Sequence, residues 1–218
     1  MPQGIAALEP DLAGRFERGL YFKGEAHIDP RAALAALAER LGSLGGTIRF
    51  ATEADSAAAQ DGRRVIDCTG LAARSVLTDL RGVKGEMLHV RAPDLTLTRP
   101  VRVLHPRTPV YVVPREAGHY MIGATMIESD QASGITARAM LELLGAAYAL
   151  HPAFGEAEIL EIGTGVRPAF PDNLPRLVRR GETLYVNGLF RHGFLAAPAL
   201  ARRAAAFVLE GREAPEVM

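Results

Sequence analysis

Cysteine is almost absent from these 218 residues, with Cys68 standing alone. One thiol excludes an internal disulfide and a cysteine-built metal centre, and it fits a reducing cytoplasm. Because Cys68 falls in the apolar run Val65–Thr69, a buried, inert thiol is the expectation. Net charge is missing too: 25 Lys+Arg face 25 Asp+Glu. No excess of either sign draws the chain to nucleic acid or to an anionic membrane, so a small-molecule partner is expected. Long apolar runs are also lacking, and the longest, Ala32–Ala38, is far too short to cross a bilayer. Met1-Pro2-Gln3-Gly4 has neither the basic start nor the apolar core of an export signal, so a soluble, cytoplasmic protein is expected. The six histidines, at 27, 89, 105, 119, 151 and 192, show no paired metal-binding spacing, and no Gly-x-Ser-x-Gly elbow occurs. No metal is expected.

What is present is enough apolar residue, 48%, to bury a real core in one large domain or two small ones. Pro30–Leu44 carries leucines at 34, 37, 41 and 44 on an alanine background, which predicts a helix with one apolar stripe and Asp29 as its N-cap. Thr47–Ala51 and Val65–Thr69 read as short strands. From Gly85 the texture changes: Met87–Arg91, Val101–His105, Val110–Pro114 and Tyr120–Met126 predict an antiparallel sheet, with a tight hairpin at Arg115–His119. Residues 136–150 return to a helix, Glu158–Arg167 to a strand, and Pro168, Pro171 and Pro175 mark a loop. Thr183–Asn187 is a strand. The fold class is α/β (α+β): an α/β part interrupted by a mostly antiparallel β-sheet with one helix.

Two places carry chemistry. Residues 188–202 set Arg191 and Gly193 directly before a helix in which Pro198 suits the first turn and Gly211 the position after the last. Free N–H groups and the partial positive charge of a helix start suit phosphate, carboxylate or the electron-rich edge of a reduced ring. Along Ile159–Arg167, one face holds Gly163, Gly165 and Arg167. Glycines clear a patch for a close ligand, and the arginine fork matches a carboxylate. A surface strand whose arginine pairs with a nearby glutamate is the alternative, and these residues alone leave it open. Gly163-Thr164-Gly165-Val166-Arg167-Pro168 begins like a dinucleotide fingerprint, but Pro168 stands at the third glycine position and further prolines follow where a helix should start.

Lys23-Gly24-Glu25-Ala26-His27-Ile28-Asp29-Pro30, Val65-Ile66-Asp67-Cys68-Thr69-Gly70, Lys84-Gly85-Glu86-Met87, Tyr111-Val112-Val113-Pro114-Arg115, Ile122-Gly123-Ala124-Thr125-Met126, Gly165-Val166-Arg167-Pro168 and the loop at 188–198 occur in one order. That order resembles the flavin-dependent amino acid oxidases (the D-amino acid oxidase family), most closely the bacterial glycine oxidases linked to thiamine biosynthesis. The resemblance implies FAD as cofactor and oxidation of glycine or another small amino acid to an imine. It further implies reoxidation by molecular oxygen to give hydrogen peroxide, and hydrolysis of the imine to glyoxylate and ammonia. By the same resemblance Arg167 clamps the substrate carboxylate, Tyr111 hydrogen-bonds it and Arg191 is a second arginine at the substrate. Ala54, Gly70, Gly188, Leu189, Phe190, Arg191, His192, Gly193, Phe194 and Leu195 are expected at the flavin, and no side chain is expected as catalytic acid or base. Hydride transfer needs orientation more than proton movement, and a bidentate arginine supplies it.

Members of that family begin with a strand, a Gly-x-Gly-x-x-Gly turn and a helix that bind the ADP half of FAD; this sequence has no counterpart. Residues 24–80 and 183–210 are therefore expected to form an incomplete flavin-binding domain around a substrate-binding domain of residues 81–180, with residues 1–23 packed on the latter. A sheet without that first strand exposes apolar surface, which invites association. Three readings stand: an oxidase of glycine-oxidase type, a non-enzymatic truncated remnant that binds small carboxylates, and one subunit of a split oxidase. The exposed sheet surface points to a homo-oligomer, and the last reading implies a separate nucleotide-binding subunit.

Overall fold

The computed structural model describes residues 2–53, 64–106 and 108–212. The chain divides into two compact units, residues 1–27 with 84–165, and residues 28–83 with 166–218.

In the first unit, helix α1 (Pro2–Leu8) precedes a sheet of six strands: β2 (Arg81–Arg91, with 84–91 in this unit), β3 (Val101–Val103), β4 (Val110–Pro114), β5 (His119–Gly123), β6 (Ile127–Glu128) and β7 (Glu158–Ala169, with 158–165 in this unit). Their order is β3-β4-β5-β2-β6, with β7 also pairing β2. The expected antiparallel sheet is present, and β4 spans the expected residues. Alternation sorts β2, β4 and β5 into two faces. Leu88, Val90, Val112, Tyr120 and Ile122 turn inward and pack with Leu143, Ala147 and Leu150 of helix α3 (Ala137–Leu150) and with Phe154. The Tyr120 and Phe154 rings meet edge to face at 5.4 Å, and the Tyr120 hydroxyl donates to the Leu95 carbonyl. Met87, His89, Tyr111, Met121 and Gly123 occupy the opposite face.

Two buried charges share the inward face. Lys84 Nζ lies 3.0 Å from Glu86 Oε1 and donates to Ser133 Oγ and the Gly134 carbonyl. Glu86 Oε2 accepts from Thr125 Oγ1 at 2.9 Å, and Oε1 accepts from the Thr136 N–H at 3.1 Å. Thr136 is itself the N-cap of α3, accepting from the Ala139 N–H. The pair thus fastens the approach to α3 onto β2.

In the second unit, β1 (Val65–Asp67) runs parallel to β9 (Thr183–Asn187), and β8 (Arg176–Arg180) runs antiparallel to β9. Helix α4 (Gly193–Glu210) packs Leu200 and Ala204 against Leu177 and Leu184, while Tyr185 joins Ala73, Leu77, Leu80 and Phe170. Helix α2 (Pro30–Ser43) begins as expected, with Asp29 Oδ1 accepting from the Arg31 and Ala32 N–H groups at 2.9 Å. None of its residues is buried, and Leu34, Leu37, Leu41 and Leu44 are 46–67% exposed. Among the described residues no helix is long and apolar enough to cross a membrane.

Four expectations are corrected. Residues 47–51 form no strand, and among the described residues no strand pairs with them; Phe50 is exposed. β7 does not stop at Arg167 but continues through Pro168 to Ala169. Proline removes only a donor, and the Pro168 carbonyl still accepts from the Phe190 N–H at 3.1 Å. α4 starts at Gly193, so Pro198 lies inside the helix, exposed, rather than in its first turn. Its missing N–H takes away the usual partner of the Phe194 carbonyl. Cys68 lies past the end of β1 and is exposed, because only Val65–Asp67 pair with β9.

Candidate functional site

In the second unit, the carboxyl ends of the parallel strands β1 and β9 lie side by side, the place where open α/β sheets bind ligands. Both strands end in a left-handed turn at glycine, Gly70 with φ 65° and Gly188 with φ 76°. At β1, Asp67 Oδ1 accepts from the Thr69 N–H at 2.9 Å and from its hydroxyl at 2.7 Å, folding the chain sharply after the strand. At β9, Asn187 is 1% exposed. Its amide donates to the Gly70 carbonyl at 2.8 Å, and its Oδ1 accepts from the Gly188 N–H at 2.8 Å. One side chain therefore ties both turns together. The sequence reading passed over Asn187; its place at the end of an apolar strand, directly before glycine, was the available signal.

Gly188 has no room for a side chain. A Cβ there would lie 2.2 Å from Phe170 Cδ2. Beyond it Leu189 and Phe190 are half-buried, Phe190 takes a positive φ of 50°, and Arg191 and His192 are exposed. The helix then starts at Gly193 with no side-chain cap, and space is open where a Gly193 Cβ would point. Phe194 and Leu195 are exposed in the first turn. Pro168 approaches the same corner, its Cγ 3.7 Å from a Cβ placed on Gly70, with Arg167 immediately before it on β7. The structure thus brings Gly70, Gly188–Phe190 and the Arg167-Pro168 segment together. Ala54 lies outside the described residues.

Tyr111 belongs to the first unit, half-buried on β4. It stands in register with Gly123 on β5, which is in register with Met87 on β2. A Cβ on Gly123 would meet the Tyr111 hydroxyl at 2.9 Å and the ring at 3.0 Å. The phenol therefore lies across β5, made possible by glycine.

Two other groups are placed differently from a reactive centre. Desolvation of the sulfur by the atoms around it, with the neighbouring Asp67 charge, pushes the Cys68 thiol up although the residue is exposed, so the protonated, less nucleophilic form is favoured. Among the described residues no group of three or more His, Cys, Asp or Glu side chains is placed to hold a metal ion.

The chain is 57% identical over 212 residues to a Rhizobium etli protein named as a thiamine biosynthesis oxidoreductase, ThiO, covering 97% of this chain and 64% of that one. It is 27% identical over 227 residues to a glycine oxidase of Bacillus licheniformis, covering 94% of this chain and 60% of the relative. The crystal structure of glycine oxidase from Geobacillus kaustophilus superposes with a TM-score of 0.80 at 26% identity, over 98% of this chain and 63% of that chain. The chain thus spans less than two thirds of the length of each. The profile of the family described as DAO, FAD dependent oxidoreductase, matches residues 1–207. With α/β topology, glycine turns at adjacent strand ends and a family profile over nearly its whole length, this chain belongs to the DAO family of FAD-dependent oxidoreductases.

Proposed function

We propose that the protein oxidises glycine or a similarly small amino acid, giving an imine that hydrolyses to glyoxylate and ammonia, and serves thiamine biosynthesis. The relatives' names support the substrate class and the pathway, since they include glycine oxidases, the thiamine oxidoreductase above and a bifunctional ThiO/ThiG protein of Synechocystis. The single observation that carries the reading is the corner at Gly70, Asn187, Gly188 and Gly193. Two left-handed turns, locked by a buried amide, open onto an uncapped helix start with free space at Gly193.

These residues fit the ring end of FAD. A flat ring needs backbone it can approach closely, and Gly193 offers it. The helix start favours negative charge at the reduced ring's edge. The pyrophosphate end finds no match, because Gly163 and Gly165 are the only glycines two apart in the sequence and no Gly-x-Gly-x-x-Gly turn exists. Bound there, FAD would supply a two-electron acceptor for the substrate α-C–H bond, with oxygen as the final oxidant and hydrogen peroxide as its product. Arg167 is the carboxylate clamp of the second unit, with Arg191 adding positive charge, and the Tyr111 hydroxyl is the carboxylate donor of the first. Orientation is their whole contribution; the amine enters neutral and no side-chain base is needed.

The test is anaerobic glycine addition to the FAD-loaded protein. Bleaching of the visible flavin band supports the reading. Tyr111→Phe is expected to raise the glycine concentration required by roughly tenfold, the worth of one hydrogen bond to a charged group. A flavin band that glycine leaves unchanged, or a Tyr111→Phe titration that coincides with the wild type, overturns it.

A further inference from the structure

Resting on the reading of Tyr111 as the carboxylate donor, we infer that Met87 sets the size limit at the substrate α-carbon and restricts the site to acids with an unbranched α-carbon. Tyr111, Gly123 and Met87 oppose one another across β4, β5 and β2, so their side chains leave the same face of the sheet. The central position is glycine, and the Tyr111 ring lies over it with its hydroxyl 2.9 Å from where a Cβ would be. Met87 is the next residue in that row and is half-buried.

On its far side Met87 meets another glycine. A Cβ on Gly163 would lie 2.8 Å from Met87 Cγ and 3.4 Å from Sδ, so the thioether leans over Gly163 and fills the space that a side chain there would take. At Gly165, two residues along the same side of β7, nothing lies within 4 Å of the Cβ position. Glycine at 123 lets the Tyr111 ring lie over β5 and glycine at 163 lets the Met87 thioether lie over β7, so along that row Met87 stands between the phenol and Gly163. A carboxylate held by the Tyr111 hydroxyl sets its α-carbon beside that thioether. Two hydrogens fit there; a methyl group meets the sulfur. Methionine is flexible, so the restriction is graded rather than absolute.

The same geometry gives variants that act in opposite directions. Met87→Ala removes the obstacle, whereas Gly163→Ala forces the thioether off β7 and back towards the phenol. Met87→Leu keeps the bulk and should keep the selectivity. The probes are glycolate and each enantiomer of lactate, which differ by one methyl on the α-carbon. Binding to the full chain is followed by the methyl resonances of 13C-labelled methionine. There are six methionines, and the Met87 signal is identified by its loss in Met87→Ala.

The expected wild-type result is a glycolate-dependent shift of the Met87 methyl and a preference for glycolate over lactate. One methyl group in a fitted site is worth about tenfold or more. Met87→Ala should shrink that preference by about tenfold, and Gly163→Ala should enlarge it. A glycolate site that weakens in Tyr111→Phe but whose preference is the same in Met87→Ala and Gly163→Ala overturns the role of Met87 and leaves the site itself standing. Glycolate binding that ignores Tyr111→Phe, or no glycolate binding, overturns the underlying reading and this inference with it.

Discussion

Removing the Glu86 carboxylate should destabilise the first unit strongly, because it strands a buried cation. Lys84 and Glu86 are 4% and 0% exposed at their side chains and sit 3.0 Å apart. Glu86→Ala leaves the ammonium with only the Ser133 hydroxyl and the Gly134 carbonyl, and it takes the acceptors from the Thr125 hydroxyl and the Thr136 N–H. Breaking a buried pair from one side costs about 3–5 kcal/mol. Loss of the acceptor of the Thr136 N–H adds about 1–3 kcal/mol, so the larger end of the range is expected. The Lys84→Met, Glu86→Leu double variant removes the stranded charge and should recover at least about 1–2 kcal/mol relative to Glu86→Ala, since apolar replacements of buried pairs are often nearly neutral. Urea unfolding, followed by circular dichroism and by amide exchange within β2, reads both. A Glu86→Ala cost under about 1 kcal/mol, or a double variant no more stable than Glu86→Ala, would refute the reasoning.

The same carboxylate makes a pH prediction. Burial alone raises its pKa, but hydrogen bonds from Lys84, Thr125 and Thr136, with the Lys84 charge, outweigh burial and hold it below the ordinary 4.5. A lowered pKa stabilises the fold above that ordinary value, and the contribution is lost as pH falls through the folded one. Glu86→Gln should therefore flatten the acid limb of stability against pH below 4.5, and an unchanged limb would sink the assignment. Gly188→Ala combines a positive φ with a Cβ 2.2 Å from Phe170, and is expected to lower unfolding free energy by at least about 1–3 kcal/mol; an unmoved urea midpoint would contradict this. Leu37→Glu, at a position 64% exposed on α2, should leave the fold intact and reduce self-association in sedimentation velocity; destabilisation by more than about 1 kcal/mol would show that the stripe is covered.

Where local pattern decided the outcome, the sequence was legible. Val110–Pro114 and Thr183–Asn187 are short, apolar and bounded by turn residues, and both are strands over those residues. Asp29 before Pro30 marked the start of α2 because capping needs only neighbours. What failed depended on partners far along the chain. Residues 47–51 have strand composition, but a strand needs a ladder, and composition does not supply one. Pro168 looked like a strand end until the Phe190 N–H, 22 residues on, proved to use its carbonyl. Cys68 looked buried because its neighbours are apolar, yet the pairing with β9 stops one residue earlier. At the candidate site, Gly70 and Gly188 were singled out through family resemblance, while the local pattern at Asn187, a strand end before glycine, did not reveal the bond by which it joins them across 117 residues.

Whether the turn leading into α4 faces a flavin ring is decided by flavin-fluorescence titration of the chain with FAD, in wild type and in Gly193→Val. Apart from its chain neighbours and its own helix backbone, no described atom lies within 4 Å of a Cβ at Gly193, so the substitution has room in the fold and intrudes into the open space before the helix. The account predicts saturable quenching by the wild type and an affinity for Gly193→Val weaker by at least about tenfold, or about 1.4 kcal/mol. Equal affinity in the two proteins, or no FAD binding by the wild type, would contradict it.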